Sequence, residues 1–308
     1  MKRIFFILIS IFAFGVCGFT YAANPIRIIV LCGKSMHPYG AHENLLAGLL
    51  LKSSLEEALK DKVKVEITDA LPGAESLAGV SLFVILGEGD KTHPLFGHEN
   101  FLKTLYDAKV GVAMFHYATV FQNPSDDVLM RNCIGANFEK FYSVNPFWDA
   151  KINTASKHPA ARGVRPFEIY DEWYFNLRFK PLNVTPLLEA IPPQSVFECP
   201  NGMYSNNKYA RAQIGRPQVL AWVCENENKT RGFGFTGWHY IWNYNNDMFR
   251  KLIVNAVAWA AGFEVPQGGF ETSRPSIEYI DSQITKPKPQ GWDATLADWK
   301  SKAKLWNN

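Results

Sequence analysis

Cysteine is scarce in this chain, with five in 308 residues, and that excludes the disulfide-dense frameworks on which small secreted domains depend. An excess of charge of one sign is also missing. Lys and Arg number 32 against 29 Asp and Glu, so there is no electrostatic case for nucleic acid or an anionic membrane surface as partner. Beyond the first 22 residues, no apolar run approaches the roughly 20 residues that a membrane-spanning helix requires. A nucleotide fingerprint is absent too: "GEGD" at 87–90 is too short and too acidic to cradle phosphates, so no nucleotide cofactor is expected. Neither an internal repeat nor a low-complexity block is present.

What is there begins with "MKRIFFILISIFAFGVCGFTYAANP": two basic residues, an apolar stretch, then small residues before a proline. That is the layout of a cleaved secretory signal over residues 1–22, with Thr20 and Ala22 at the positions the peptidase reads and Ala23 as the second choice of cleavage site. Val16 before Cys17 argues against a lipid anchor. The expected destination is the periplasm or the medium, without membrane insertion after cleavage. The remaining chain, roughly 286 residues, suits one large domain or two small ones. Cys32, Cys133, Cys199 and Cys224 survive processing; Cys199 with Cys224 is the favoured disulfide, and four buried thiols are the alternative.

"PIRIIVLCG" reads as a buried strand ended by glycine. "HENLLAGLLLKSSLEEALKD" carries an apolar stripe at 45, 46, 49, 50, 55 and 59, the spacing of a helix. Strand-like "KVKVEITDA", strand-like "SLFVILGEG", helical "HENFLKTLYDAK" and strand-like "VGVAMFHYA" follow. Such alternation argues for a parallel sheet covered on both faces. The region 120–215 looks irregular and aromatic-rich. "QVLAWVCE" and "RGFGFTGWHYIWNY" predict a hairpin, "NDMFRKLIVNAVAWAAG" a closing helix, and the last 40 or so residues a tail that wraps or extends. Chemistry in these folds gathers beyond the carboxyl ends of the strands, and "GKSMHPYGAHE", "GEGDKTHP" and "FHYAT" stand there, with five of the seven histidines in or just after them.

Six motifs in order, "SMHPYGAHE", "FHYA", "SVNPFW", "HPAARGVRPFEIYDEWYF", "RGFGFTGWH" and "FRKLIVNAVAWAAG", resemble the ThuA-like (trehalose utilisation) family over roughly residues 26–265. The resemblance implies a flavodoxin-like α/β three-layer sandwich with a mostly parallel sheet, related to class I glutamine amidotransferases. It assigns 23–265 to the ThuA-like domain and 266–308 to a C-terminal extension, and implies a link to carbohydrate metabolism. In the amidotransferase relatives a strand-to-helix elbow carries a nucleophilic cysteine; here "MFHYA" offers His116, which excludes glutamine hydrolysis through a thioester. The later histidine of that fold matches His239. Further histidines of some members fall where this chain has Phe147, Asn176 and Ile241.

The residues themselves point the same way. His37 and His42, with Glu43, can converge on a divalent metal such as zinc, although their spacing matches no strong zinc signature; helix capping by His42 and Glu43 is the alternative. His116 suits proton transfer to a sugar hydroxyl or carbonyl. Asp171 and Glu172 are adjacent, so on an extended segment they point apart; Glu172 is preferred as the partner of a histidine or metal, with Arg178 available to neutralise one of the two. Trp173, Trp238 and Trp242, with Asn145, are expected to line a sugar-binding cleft. His98 is read as a helix cap and His158 as a turn residue. Two readings stand. One is an exported enzyme that acts on a small carbohydrate or keto-sugar by acid–base chemistry, as a hydrolase, lyase or isomerase. The other is a non-catalytic carbohydrate-binding or scaffolding protein.

Overall fold

The β-branched run Ile26–Cys32 forms β1, and its last five residues are buried because sheet faces on both sides are covered. Residues 24–153 and 156–306 are described by this computed structural model; the leader expected at 1–22 lies outside the described residues. After β1 come α1 (Asn44–Leu59), β2 (Val63–Thr68), β3 (Val80–Leu86), α2 (Phe101–Asp107) and β4 (Gly111–Phe115). The helical stripe of α1 is displaced from the sequence expectation. Leu46, Leu50, Leu51, Leu55 and Leu59 are buried, whereas Leu45 and Leu49 face solvent.

The middle region is less irregular than its composition suggests. It contains α3 (Asp127–Ile134), the short β5 (Ala136–Asn137), β6 (Phe147–Ile152), β7 (Phe167–Glu172), β8 (Arg178–Phe179), β9 (Val184–Ala190) and α4 (Lys208–Arg211). Then β10 (Gln218–Glu225) and β11 (Arg231–Phe235) form the expected antiparallel hairpin, before the closing helix α5 (Asp247–Ala260). The main sheet has the order β2-β1-β3-β4-β11-β10-β9. Its first five strands are parallel and its last two antiparallel, so the parallel part follows the doubly wound 2-1-3-4-5 arrangement of flavodoxin-like folds. β6 and β7 pair separately as an antiparallel hairpin.

The last forty residues do not trail away. They form α6 (Ile277–Ser282) and α7 (Trp292–Trp306), and Trp292 and Trp299 pack on Trp242 with ring centroids 5.0 and 5.3 Å apart. Gly40 is required beneath this stack: it has φ +80°, and a Cβ there would meet the Trp242 ring at 1.6 Å. The four cysteines among the described residues are free thiols. Cys224 lies buried in β10 while Cys199 sits in an exposed loop, so the favoured disulfide between them is not formed, and the alternative of four buried thiols fails at Cys199.

Candidate functional site

Parallel strands send their carboxyl ends to one edge of the sheet, and here four neighbours deliver side chains to one place. The loop after β1 supplies His37 and His42, β3 leads to Glu88, β4 to His116 and β11 to His239; Glu172 ends β7. His42 Nε2 lies 3.0 Å from His239 Nδ1 and 3.1 Å from His116 Nε2, and the latter two are 3.3 Å apart. The Glu172 carboxylate is 3.1 Å from His116 Nε2 and 3.2 Å from His239 Nδ1. All four residues are buried, and their four ligand atoms lie within 4.8 Å of one another.

Two of the outer nitrogens are occupied. His42 Nδ1 faces a Glu88 oxygen at 3.0 Å, and His116 Nδ1 donates to the Thr236 carbonyl at 2.7 Å. Each partner is an acceptor, so in its neutral form each ring carries its proton on Nδ1 and turns an Nε2 lone pair inward. Lone pairs 3.1 Å apart repel unless something positive lies between them. A zinc-sized ion with bonds of about 2.0–2.1 Å to nitrogen would space tetrahedral ligands at roughly 3.3 Å, close to the five separations above. The carboxylate–histidine pair is also the usual support of a metal ligand. His42, His116, His239 and Glu172 could therefore hold a metal ion.

The electrostatics agree with a site short of positive charge. Burial pushes His42 down to about 3, outweighing the pull of Glu88, and burial also lowers His239. On His116 burial is overcome by the hydrogen bond and charge of Glu172, and the imidazole is raised. Burial works against the Glu172 carboxylate as well, yet His116 and His239 hold it below the usual range. The backbone is strained around these groups. His42, His116 and Trp238 have φ of 47°, 51° and 86°, a region that costs ~1–3 kcal/mol for residues with a side chain. Asp171 helps to impose it by accepting the Trp238 and His239 amides at 2.6 and 3.1 Å.

Several expected residues lie elsewhere. Glu43 is not in the cluster: its carboxylate accepts the Gly40 amide at 2.9 Å and pairs with Lys286 at 3.1 Å. His42 does not cap α1, since its ring turns to the cluster. His37 stands beside the four-residue cluster, stacked on His42 at 3.6 Å and bound to Glu88 at 2.9 Å. Trp173 and Trp242 do not line a cleft; both are fully buried, Trp173 against Phe235 and Phe249 and Trp242 against the C-terminal helices. Trp238 is buried too, stacked on Tyr244 at 5.0 Å, and borders with His42 and His116 a cavity of about 20 Å³, room for a water and not for a sugar. Asn145 donates to Glu172 at 3.0 Å and so orients that carboxylate instead of lining a cleft. Arg178 pairs with Glu139 rather than with Asp171 or Glu172. His98 is exposed and α2 begins at Phe101 without a side-chain cap, whereas His158 accepts the Ala160 amide as a turn residue does.

Three contributors escaped sequence reasoning. Glu88 follows β3 as His116 follows β4, and that shared position was the available signal. Tyr174, whose hydroxyl is 3.2 Å from His116 Nε2 and 3.3 Å from Glu172, and Thr236, which acts through its carbonyl, gave none.

Comparison with known proteins identifies the family. The family model described as ThuA, trehalose utilisation, matches residues 29–260. No curated protein matches the chain. Among solved structures, a ThuA-like protein from Bacteroides uniformis is 15% identical with a TM-score of 0.55, covering 83% of this chain and 98% of its own. A β-galactosidase from the haloarchaeon Halorubrum lacusprofundi is 12% identical with a TM-score of 0.42, over 80% of this chain and 32% of its own.

Proposed function

Because the chain belongs to the ThuA, trehalose utilisation, family, we propose that it is a metal-assisted enzyme that acts on a sugar or keto-sugar derivative. The observation that carries this reading is the convergence of three inward-facing imidazole nitrogens and one carboxylate oxygen at 3.0–3.3 Å. A divalent ion such as zinc, when held there, supplies Lewis acidity to a carbonyl or hydroxyl oxygen.

The ligand role of His116 removes it from the proton-carrying part expected of it. That part passes to His37, whose side chain is 32% exposed and whose Nδ1 is held by Glu88, leaving Nε2 as the atom that takes or returns a proton at the mouth of the site. Glu172 and the Tyr174 hydroxyl beside it fix the polarity of the inner wall. Substrate approaches from the side of His37 and Phe147, since the cavity behind His42 and His116 is too small. The leader-like first 22 residues support export before the enzyme acts.

Elemental analysis of the purified protein, followed by assay of His116→Ala and His37→Ala on a panel of glycosides and 3-keto-glycosides, tests the reading. Near one divalent ion per chain is expected, lost with its activity in His116→Ala, while His37→Ala keeps the ion and loses turnover by about 10²–10⁴. Turnover unchanged in His116→Ala would remove the proposal, and saturable sugar binding without turnover would leave a binding protein instead.

A further inference from the structure

On the flank of α5, three segments meet around a cavity of about 480 Å³ that none of the cluster residues lines. The turn at 163–165 supplies Arg165, the start of α5 supplies Asp247, Arg250 and Lys251, and the C-terminal extension supplies Glu271 and Arg274. Four cations against two carboxylates leave two positive charges in one cavity, in a chain whose formal net charge is only +3. The walls are fixed from behind. Buried Asn255 of α5 donates to the Arg162 carbonyl at 2.8 Å and accepts the Phe270 amide at 2.8 Å, and Gly163 abuts Gly268 so closely that a Cβ would meet its carbonyl at 1.8 Å.

The four cations differ in what they still have to donate. Arg250 is fully engaged, by Thr272, by the Tyr244 and Asn245 carbonyls and by Asp247. Arg274 grips Asp247 through Nε and Nη2, and its Nη1 has no acceptor among the described residues. Lys251 donates to the Gly268 carbonyl at 3.1 Å and pairs with Glu271; its side chain is 12% exposed, whereas that of Glu271 is 83% exposed. A largely buried ammonium therefore depends on a carboxylate that stands in water. Arg165 is exposed, and its guanidinium has no hydrogen-bond or ion-pair partner among the described residues.

We propose that this cavity is a binding site for a small phosphate or sulfate monoester. The Arg165 guanidinium, Arg274 Nη1 and the remaining Lys251 proton are three donors lining one cavity, and the head of such an ester presents three strong acceptor oxygens. Hydrogen bonds in which both partners are charged are the strong ones, and guanidinium suits this geometry better than ammonium does. A carboxylate, with two oxygens, would leave one of the three donors unmatched. The organic part of the ester lies against Met248 and Phe270, the apolar side of the lining, and the volume falls within the ordinary range for small-molecule pockets. Glu271 is the competitor: the ligand displaces it from Lys251 into the water it already faces. The site is independent of the reading of the histidine cluster.

Calorimetric titration with inorganic phosphate and with inorganic sulfate, at an ionic strength held constant with sodium chloride, tests this. The variants are Arg165→Ala, Glu271→Gln, His116→Ala and, as a control, Lys208→Ala, an exposed cation outside the cavity. Wild type is expected to take up one anion per chain at this site. Arg165→Ala should weaken it about tenfold, which corresponds to about 1.4 kcal/mol. Glu271→Gln should tighten it by about threefold or more, because Lys251 is freed from its competing carboxylate. His116→Ala and Lys208→Ala should leave it within about twofold. Whichever anion binds more tightly identifies the ester, phosphate or sulfate. No saturable binding of either anion overturns the proposal, and so does an affinity in Glu271→Gln no higher than in wild type. An equal loss in Lys208→Ala would reduce the effect to general surface charge, and a loss in His116→Ala would put the anion at the cluster; both overturn the site.

Discussion

Glu88 holds His42 by its outer nitrogen at 3.0 Å, and the inner nitrogen of that ring is thereby aimed at His239, also at 3.0 Å. Glu88 further accepts the Met36 amide at 2.9 Å and reaches His37, so one buried carboxylate orders the whole loop between β1 and α1. Burial opposes its charge, but the hydrogen bonds from His37 and His42 keep it ionised well below the usual carboxylate range.

Glu88→Gln should therefore weaken metal binding without removing a ligand. The expected loss is about 10- to 100-fold. Competition against a chelator of known affinity measures it, and an unchanged dissociation constant would show that Glu88 does not orient His42.

Ion binding should release a proton. Glu172 raises His116 from its ordinary range, so that Nε2 holds a proton to higher pH, whereas burial lowers His42 to about 3. An ion must displace the proton on His116, so affinity should rise with pH until that group is neutral. Calorimetry in two buffers of different ionisation enthalpy, run at several pH values, should report proton release that shrinks as pH rises; no release at any pH would contradict the ligand role of His116.

His93 gives the fold a separate acid sensitivity. Its Nε2 donates to the Ala118 carbonyl at 3.0 Å and its Nδ1 accepts the Leu95 amide at 2.9 Å, so only the neutral ring satisfies both partners. Burial lowers it to about 4. The unfolded chain takes up this proton first, near pH 6.5, so the contribution is complete above that pH and declines as pH falls towards 4. The loss is on the order of 3 kcal/mol. Thermal melts across this window should be flatter in His93→Gln, and identical slopes would discard the assignment.

Lys286 ties the C-terminal extension to the site loop. Its ammonium reaches Ser35 Oγ at 2.7 Å, the His37 and Ala41 carbonyls at 3.0 and 2.9 Å, and Glu43 at 3.1 Å. Lys286→Met should cost about 1.5–3 kcal/mol and weaken ion binding, because the loop that bears His37 and His42 loses its clasp. Denaturant melts paired with metal titration check both; a stability loss with unaltered affinity would make Lys286 purely structural.

The sheet and the histidines were legible in the sequence for one reason: in a parallel sheet, position after a strand is also position in space. His42, His116 and His239 could be placed together without knowing any contact. Glu88 had the same credential, but its "GEGD" setting drew attention to phosphates instead of to its strand. Glu43 was misplaced because its partner Lys286 is 243 residues away, in a segment with no periodic signal. The tryptophans failed differently. An exposed ring and a ring that fills a core have the same composition and spacing, and only the strand face distinguishes Phe147 from Trp148. Arg178 likewise stood near two acids in sequence and found a third, Glu139, in space.

The packing of Trp292 and Trp299 on Trp242 has a consequence for how the molecule is made. The ring they cover is the one that Gly40 must abut, and Lys286 lies between Gly40 and those tryptophans in the assembled protein's order of synthesis. The loop that bears His37 and His42 is thus made early and anchored last, only once residues 286–299 have joined the fold.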